Sequence, residues 1–342
     1  MSRPQIIVMT PVRNEAWILD RFIKCTSLWA DHIIIANQSS DDGSADLARK
    51  YPKVTVVEND NPEYNEADRQ KLLLRTARLI PGPRVLIALD ADEIMSANIL
   101  DSAEWQTALQ MPPGTVLEFA KVDLYNSPAE YFLHSGEDRN AWLPFGYVDD
   151  NAAHEAEIIH TSRVPVGQGK KSLRLKEVVL LHYNQCNIPR MESKDRWYRC
   201  FARVLHPEMN VVEIHRLHDW YDRLKFKFRV RPSPDEWFRH YRAAGIELSS
   251  IQVERFFWSD WEILRMFQKY GIENFRGVDI WSVDWEALRR IGIEMGISGI
   301  PQTPLQAPLR RRDRWLHSAL KRTQYYRVRP YTDKLLKRIA NV

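Results

Sequence analysis

Val85-Leu86-Ile87-Ala88-Leu89-Asp90-Ala91-Asp92-Glu93 decides the fold: five apolar residues run unbroken into two aspartates one residue apart. An apolar run of this length, released by Pro81-Gly82-Pro83, predicts a strand buried on both faces. Such strands belong to parallel sheets covered by helices. Ligands of these sheets gather at the carboxyl ends of the strands, which is where Asp90 and Asp92 fall. Two carboxylates so placed can share one hard divalent cation, Mn2+ or Mg2+, one directly and the other directly or through water. A cation held there neutralises charge on a departing diphosphate. The chain contains no other Asp-x-Asp.

Upstream, apolar strand runs at 6–9, 33–36 and 54–57 alternate with helical spacing at 15–29, 45–50 and 66–80. Leu19, Phe22, Ile23 and Thr26 define the core face of the first helix. This alternation predicts an α/β fold with right-handed crossovers and a mostly parallel central sheet. Three polar clusters, at 10–15, 37–42 and 90–93, then converge on one edge of the sheet. Downstream, strands are expected near 116–119 and 178–181. Helices are expected over 191–204, 235–248, 258–270 and 284–295, forming a helical C-terminal extension. These expectations divide the chain into a catalytic domain (1–205), a helical region (206–300) and a Pro-rich link with a basic amphipathic tail (301–342).

Three of these segments, taken in order, resemble family 2 glycosyltransferases. Thr10-Pro11-Val12-Arg13-Asn14-Glu15 is similar to the family's opening strand, turn and helix start. Residues 33–44 resemble its second strand and Asp-Asn-x-Ser-x-Asp-Gly-Thr turn, and Leu89-Asp90-Ala91-Asp92-Glu93 resembles its metal motif. The resemblance implies a GT-A (nucleotide-diphospho-sugar transferase) fold, with Mn2+ or Mg2+ on Asp90 and Asp92. It places Thr10, Pro11, Arg13, Glu15, Asn37, Ser39, Ser40 and Asp42 around the nucleotide, together with Arg69, Lys71 and Asp90. Leu181-His182-Tyr183 resembles the position of a late histidine that completes the metal shell. Two departures stand out. Asn37 replaces the usual Asp, and Arg69-Gln70-Lys71 stands where Arg-Asn is common. The implied activity is inverting transfer of a sugar from a nucleotide-sugar donor, UDP-linked by preference, to a glycan or glycolipid hydroxyl in polysaccharide biosynthesis.

An inverting transfer needs a carboxylate to take the proton of the attacking hydroxyl. Asp150, with Asp149 beside it after the aromatic stretch Phe145-Gly146-Tyr147, is the expected base, with Glu155 its rival and His160 and Arg163 nearby. Arg190, Lys194 and Arg196 are expected to approach the diphosphate. A sugar nucleotidyltransferase is the competing enzyme class, but the first turn lacks the Gly-rich loop it would need. A catalytically inactive glycan- or membrane-binding GT-A protein is the non-enzymatic alternative, and intact Asp90 and Asp92 argue against it. No G-x-G-x-x-G follows any strand, which argues against a Rossmann dehydrogenase.

Composition sets outer bounds. The 342 residues are 44% hydrophobic and 27% charged, ordinary for a globular chain. Three cysteines have neither disulfide-framework nor zinc spacing and fit a reducing compartment. With no leader pattern and no apolar run of spanning length, a cytoplasmic protein is expected, and the Asn37-Gln38-Ser39 sequon then carries no meaning. The net charge of +4 is uneven: from Gln306 onward, eleven Lys and Arg face only Asp313 and Asp333, so the body is acidic. Trp315, Tyr325, Tyr326 and Tyr331 interleave with the basic residues. This tail predicts contact with an anionic membrane, placing the chain peripherally on its inner face. No motif supports binding to nucleic acid.

Overall fold

The computed structural model describes residues 3–59, 65–133, 142–154, 162–166, 171–218, 229–251, 256–323 and 328–340. It has the mixed α/β architecture with C-terminal helices expected from the sequence, divided into two units, Met1–Asn187 with Arg229–Gln252, and Ile188–Phe228 with Val253–Val342.

In the first unit, β1 (Gln5–Val12), β2 (His32–Asn37), β3 (Val54–Glu58) and β4 (Arg84–Ala88) pair in parallel in the order β4-β1-β2-β3. Their alternation explains the uninterrupted apolar runs. Ile6, Val8, Ile33, Ile35, Val85 and Ile87 face one core, which includes Leu19, Phe22 and Ile23 of α1 (Ala16–Thr26). Ile7, Met9, Ile34, Leu86 and Ala88 face the other, which includes Leu73, Leu74 and Ala77 of α3 (Glu66–Ala77). Short α2 (Ser44–Ala48) links β2 to β3.

After β4 the chain turns through Asp90–Glu93 into β5 (Glu93–Met95), which pairs antiparallel with β9 (Ser172–His182). A short helix, α4 (Ala103–Ala108), precedes the long strand β6 (Val116–Tyr125). β6 runs parallel to β9, and antiparallel to β7 (Ser127–Leu133) and β8 (Trp142–Val148). β8 in turn runs antiparallel to β4, joining the two halves of the sheet.

The second unit begins with α5 (Ile188–Leu205), whose Pro189 sits in the first turn, where its missing N–H costs nothing. This start lies before the boundary at 205 drawn from the sequence. The helix packs with its neighbours through Trp197 and Cys200, in a core with Trp261, Leu264 and Phe267 of a later helix, Trp258–Tyr270. Two elements differ from expectation. Residues 229–251 return to the first unit, where β10 (Arg229–Pro232) pairs with β7. The helix expected over 235–248 is a 3-10 turn at Asp235–Trp237 and one short helix, Arg239–Ala243. Gly245, at φ 72°, ends it, and buried Tyr241 donates to the carbonyl of Met95 at 2.8 Å.

Candidate functional site

The turn after β4 is closed by its own residues. Glu93 N–H donates to the Asp90 carbonyl at 3.0 Å, and Asp90 N–H donates to Glu93 Oε2 at 2.9 Å. Tyr183 N–H holds the Asp92 carbonyl at 2.8 Å, tying the turn to the end of β9. Register does the rest: His182 lies opposite Glu93 on β5 and beside Asp123 on β6. Three strands separated by long stretches of chain therefore bring Asp90, Asp92, Glu93, Lys121, Asp123 and His182 together.

The histidine lies between two acids. Its Nδ1 is 2.6 Å from Asp123 Oδ1, and its Nε2 is 3.7 Å from Asp92 Oδ2. Burial and Lys121 oppose protonation of this ring, but the Asp92 and Asp123 carboxylates outweigh them and raise its pKa to about 9. Glu93, with a side chain 0% exposed, is gripped by Lys121 at 2.6 Å and by Arg163. Burial alone would raise its pKa, but Arg163, Lys121 and His182 bring it down to about 2. Arg163 also reaches Asp90 Oδ2 at 2.5 Å and lies over the Phe145 ring. Burial in the cleft, then the Glu93 and Asp92 carboxylates, raise the Asp90 pKa against the pull of Arg163 and Arg69. The Asp90 side chain is still 40% exposed, so water moderates that rise.

The donor chemistry fits a hard or borderline divalent cation. Asp90 and Asp92 offer carboxylate oxygens at a strand tip. His182 turns Nε2 toward Asp92 while its other nitrogen is held by a carboxylate, as metal-binding histidines usually are. Among the described residues no group of three or more His, Cys, Asp or Glu is arranged to hold a metal ion. Arg163 supplies the countercharge to Asp90 instead.

The two turns expected around the nucleotide are fastened together. Asn14, at φ 56°, exchanges side-chain and backbone hydrogen bonds with Asp41 at 2.7 and 2.9 Å, and its own N–H donates to Ser40 Oγ at 3.0 Å. Asp42 accepts from Ala16 N–H at 2.9 Å and from the Ser44 hydroxyl at 2.6 Å, so both its oxygens hold the loop and the start of α1. Ser44 Oγ accepts Glu15 N–H at 2.9 Å, and Glu15 Oε2 accepts the Trp17 indole N–H at 2.7 Å. Thr10 is fully buried within β1. Pro11, Arg13 and Arg69 are half-buried, while Ser39 and Lys71 are exposed. Asn37 sits at the end of β2 with its amide on Glu58 of β3 at 2.7 Å.

Strand direction sets the place of Asp149 and Asp150, the residues expected as base. β8 runs antiparallel to β4, so its carboxyl end lies beside Arg84, at the amino end of β4. Asp149 N–H donates to the Arg84 carbonyl at 3.0 Å. Asp90 lies six residues further along that strand, about 20 Å away at ~3.3 Å per residue. The Asp149 side chain is 0% exposed, between Arg78 at 2.9 Å and Arg84 at 3.0 Å. Asp150 accepts from the Tyr147 hydroxyl and from Ala152 N–H at 2.8 Å. Glu155 and His160 lie outside the described residues. In the second unit, Arg196 is paired with Asp260 at 3.1 Å and Arg190 is buried. Asp123 and Lys121 were missed in the sequence, and Arg163 was noted there only as a neighbour of the expected base.

No family model and no curated protein matches the chain. Among solved structures it is similar to a 4-diphosphocytidyl-2C-methyl-D-erythritol synthase, at 14% identity and TM-score 0.27 over 35% of this chain and 61% of that one. It is also similar to glucosyl-3-phosphoglycerate synthase from Mycobacterium tuberculosis in complex with Mn2+, UDP and phosphoglyceric acid, at 17% identity and TM-score 0.26 over 34% of this chain and 43% of that one. The match to S. aureus TarS 1–349 has 10% identity and TM-score 0.36, over 98% of this chain and 90% of that one. The first two matches thus span less than two thirds of those proteins.

Proposed function

We propose that this chain is a metal-assisted, inverting glycosyltransferase of the GT-A, family 2 type, moving a sugar from a nucleoside diphosphate to a glycan or glycolipid hydroxyl. The observation that carries this reading is the His182 ring held by Asp123, with its Nε2 turned to Asp92 beside Asp90. Asp90 and Asp92, joined by His182 once its Nε2 gives up a proton, would hold Mn2+ or Mg2+, which would neutralise charge on the leaving diphosphate. Arg69, whose charge acts on Asp90, adds positive potential on the same side. Arg163 compensates the acids until a ligand arrives and is then available to a phosphate oxygen. The zippered turns at 14–16 and 40–44 keep the nucleoside side rigid. Of the three carboxylates expected as base, Glu155 is the one retained.

Calorimetry of UDP with and without Mn2+, followed by a donor-hydrolysis assay, tests the reading. Asp92→Ala should abolish Mn2+-dependent binding and hydrolysis with little change in thermal unfolding. Unchanged turnover in that variant ends the metal assignment.

A peripheral membrane role for the tail is supported by two helices, Arg311–Arg322 and Arg329–Ala340. Trp315 on the first is 51% exposed, and Tyr331 and Leu335 on the second are 82% and 57% exposed, all among basic residues. Solvent-facing aromatics within a cationic stripe suit the boundary between headgroups and acyl chains. No helix among the described residues is long and apolar enough to cross a membrane.

A further inference from the structure

Arg21 is buried where a charged side chain is seldom found. It lies on α1 with its side chain 7% exposed, on the face that also carries Trp17, Ile18 and Cys25. A guanidinium can be buried only if its N–H groups find acceptors. Arg21 finds them in one loop of the returning segment: Nε donates to the Glu247 carbonyl at 3.0 Å, and Nη2 to the Ser250 carbonyl. The Glu247 carboxylate is 3.7 Å away and 58% exposed, too solvated to hold the cation by charge alone. It shapes the loop instead. It accepts the N–H groups of Ser249 and Ser250, each at 2.8 Å, and the Ser249 hydroxyl at 2.6 Å.

The guanidinium also faces the site. Its central carbon stands 5.2 Å from the centre of the Tyr183 ring, a cation–π distance. Tyr183 is fully buried, follows His182 in the chain, and holds the Asp92 carbonyl through its N–H. Contacts therefore run from the loop through Arg21 and Tyr183 to Asp92. The same returning segment reaches the end of β5 a second time, through the Tyr241 bond to the Met95 carbonyl. All of these residues belong to the first unit. We propose that residues 241–250 brace the Asp90–Glu93 turn, and that Arg21 is the positioning residue which passes their order through Tyr183 to Asp92 and His182. An apolar side chain would fill the same space. The guanidinium adds direction, because its donors are fixed in a plane and its acceptors sit in one loop.

What the brace serves rests on the metal-site reading above, but the brace itself is tested without metal. Hydrogen exchange is measured by mass spectrometry on the full chain, on Arg21→Met and on Glu247→Ala. Met keeps much of the volume and no donor, whereas Glu247→Ala releases the loop from the solvent side. Exchange at Tyr183 should rise about tenfold in Arg21→Met, the worth of one hydrogen bond, and rise also in Glu247→Ala, with β2 unchanged. Mn2+ binding is then measured by calorimetry at high salt, where the effect of an exposed charge is screened. It should weaken about tenfold in Arg21→Met, and the double variant should weaken no further. Loss of a positive charge would by Coulomb's law strengthen cation binding, so weaker binding reports position. Unchanged Mn2+ affinity in Arg21→Met, or exchange that rises evenly along β1 and β2, reduces Arg21 to a core residue and overturns the proposal. If that variant does not fold, unchanged Tyr183 exchange in Glu247→Ala overturns it. A wild-type chain that binds no Mn2+ ends the metal reading, and the exchange rates alone then decide whether the brace exists.

Discussion

His182 Nδ1 lies 2.6 Å from Asp123 Oδ1, a contact made possible only by the parallel register of β6 and β9. The carboxylate fixes the ring plane and accepts the Nδ1 proton, while Nε2 faces Asp92. Asp123→Asn keeps the shape but replaces an acceptor-only partner with one that can turn its NH2 toward the ring. Mn2+ affinity should then fall about tenfold to a hundredfold, as it commonly does when the partner of a metal-bound histidine is changed. Metal titration followed by calorimetry or by paramagnetic line broadening checks this without an activity assay. Unchanged affinity would show that the pair only stabilises the fold.

Asp149 offers a contrasting case, a carboxylate whose partners are structural. Arg78 and Arg84 occupy both of its oxygens, and no part of its side chain is exposed. Asp149→Ala leaves two guanidinium groups without their anion and should cost about 3 kcal/mol of stability. Chemical denaturation measures the loss. Specific activity per folded molecule should stay near wild type, and Asp150→Asn should retain activity too. A collapse of turnover in stable Asp150→Asn would restore it as the base.

The parallel half of the sheet was legible because β1, β2 and β4 are apolar on both faces, which removes the ambiguity of a half-exposed strand. The three polar clusters at its carboxyl edge followed from topology alone. Direction was not legible beyond that half. Trp142–Val148 reads as a strand in either orientation, and only its antiparallel pairing with β4 sends Asp149 and Asp150 to the far end. Asp123 was hidden for a related reason. In β6 it alternates as an ordinary outward polar residue, and nothing local reveals that His182, 59 positions later, becomes its neighbour. Arg163 lies in a connecting segment with no periodic signal, so its ion pairs with Asp90 and Glu93 are purely tertiary.

The exposed aromatics of the tail lead to a prediction about lipid. On an ideal helix, Arg311, Trp315, Ser318 and Arg322 share one stripe, as do Tyr331, Leu335 and Arg338. The chain should co-sediment with vesicles containing phosphatidylglycerol and not with phosphatidylcholine alone. Binding should weaken as salt rises, because each Lys or Arg near the surface contributes about 1 kcal/mol. The double variant Trp315→Ala, Tyr331→Ala should lose most of it without a change in thermal unfolding. Equal binding to neutral and anionic vesicles, or none to either, removes the membrane from the reading.

His215 makes the stability of the second unit sensitive to acid. It lies on the helix Val211–Leu217, is 2% exposed, and neither ring nitrogen has a hydrogen-bond partner among the described residues. Burial, followed by the positive charges of Arg199 and Arg216 with His317 and Lys321 behind them, holds its pKa well below the usual 6.5. The folded chain therefore resists a proton that the unfolded chain accepts. The unfolded state binds more protons once pH falls below about 6.5, so stability declines from there toward the folded pKa and is unaffected by this group above it. His215→Leu removes the titration and two unsatisfied polar atoms from the core. Its melting temperature should match or exceed wild type at pH 8 and fall less steeply below pH 6.5. Melting curves for the two proteins that stay parallel from pH 8 to pH 5 would show that acid acts on this unit through some other group.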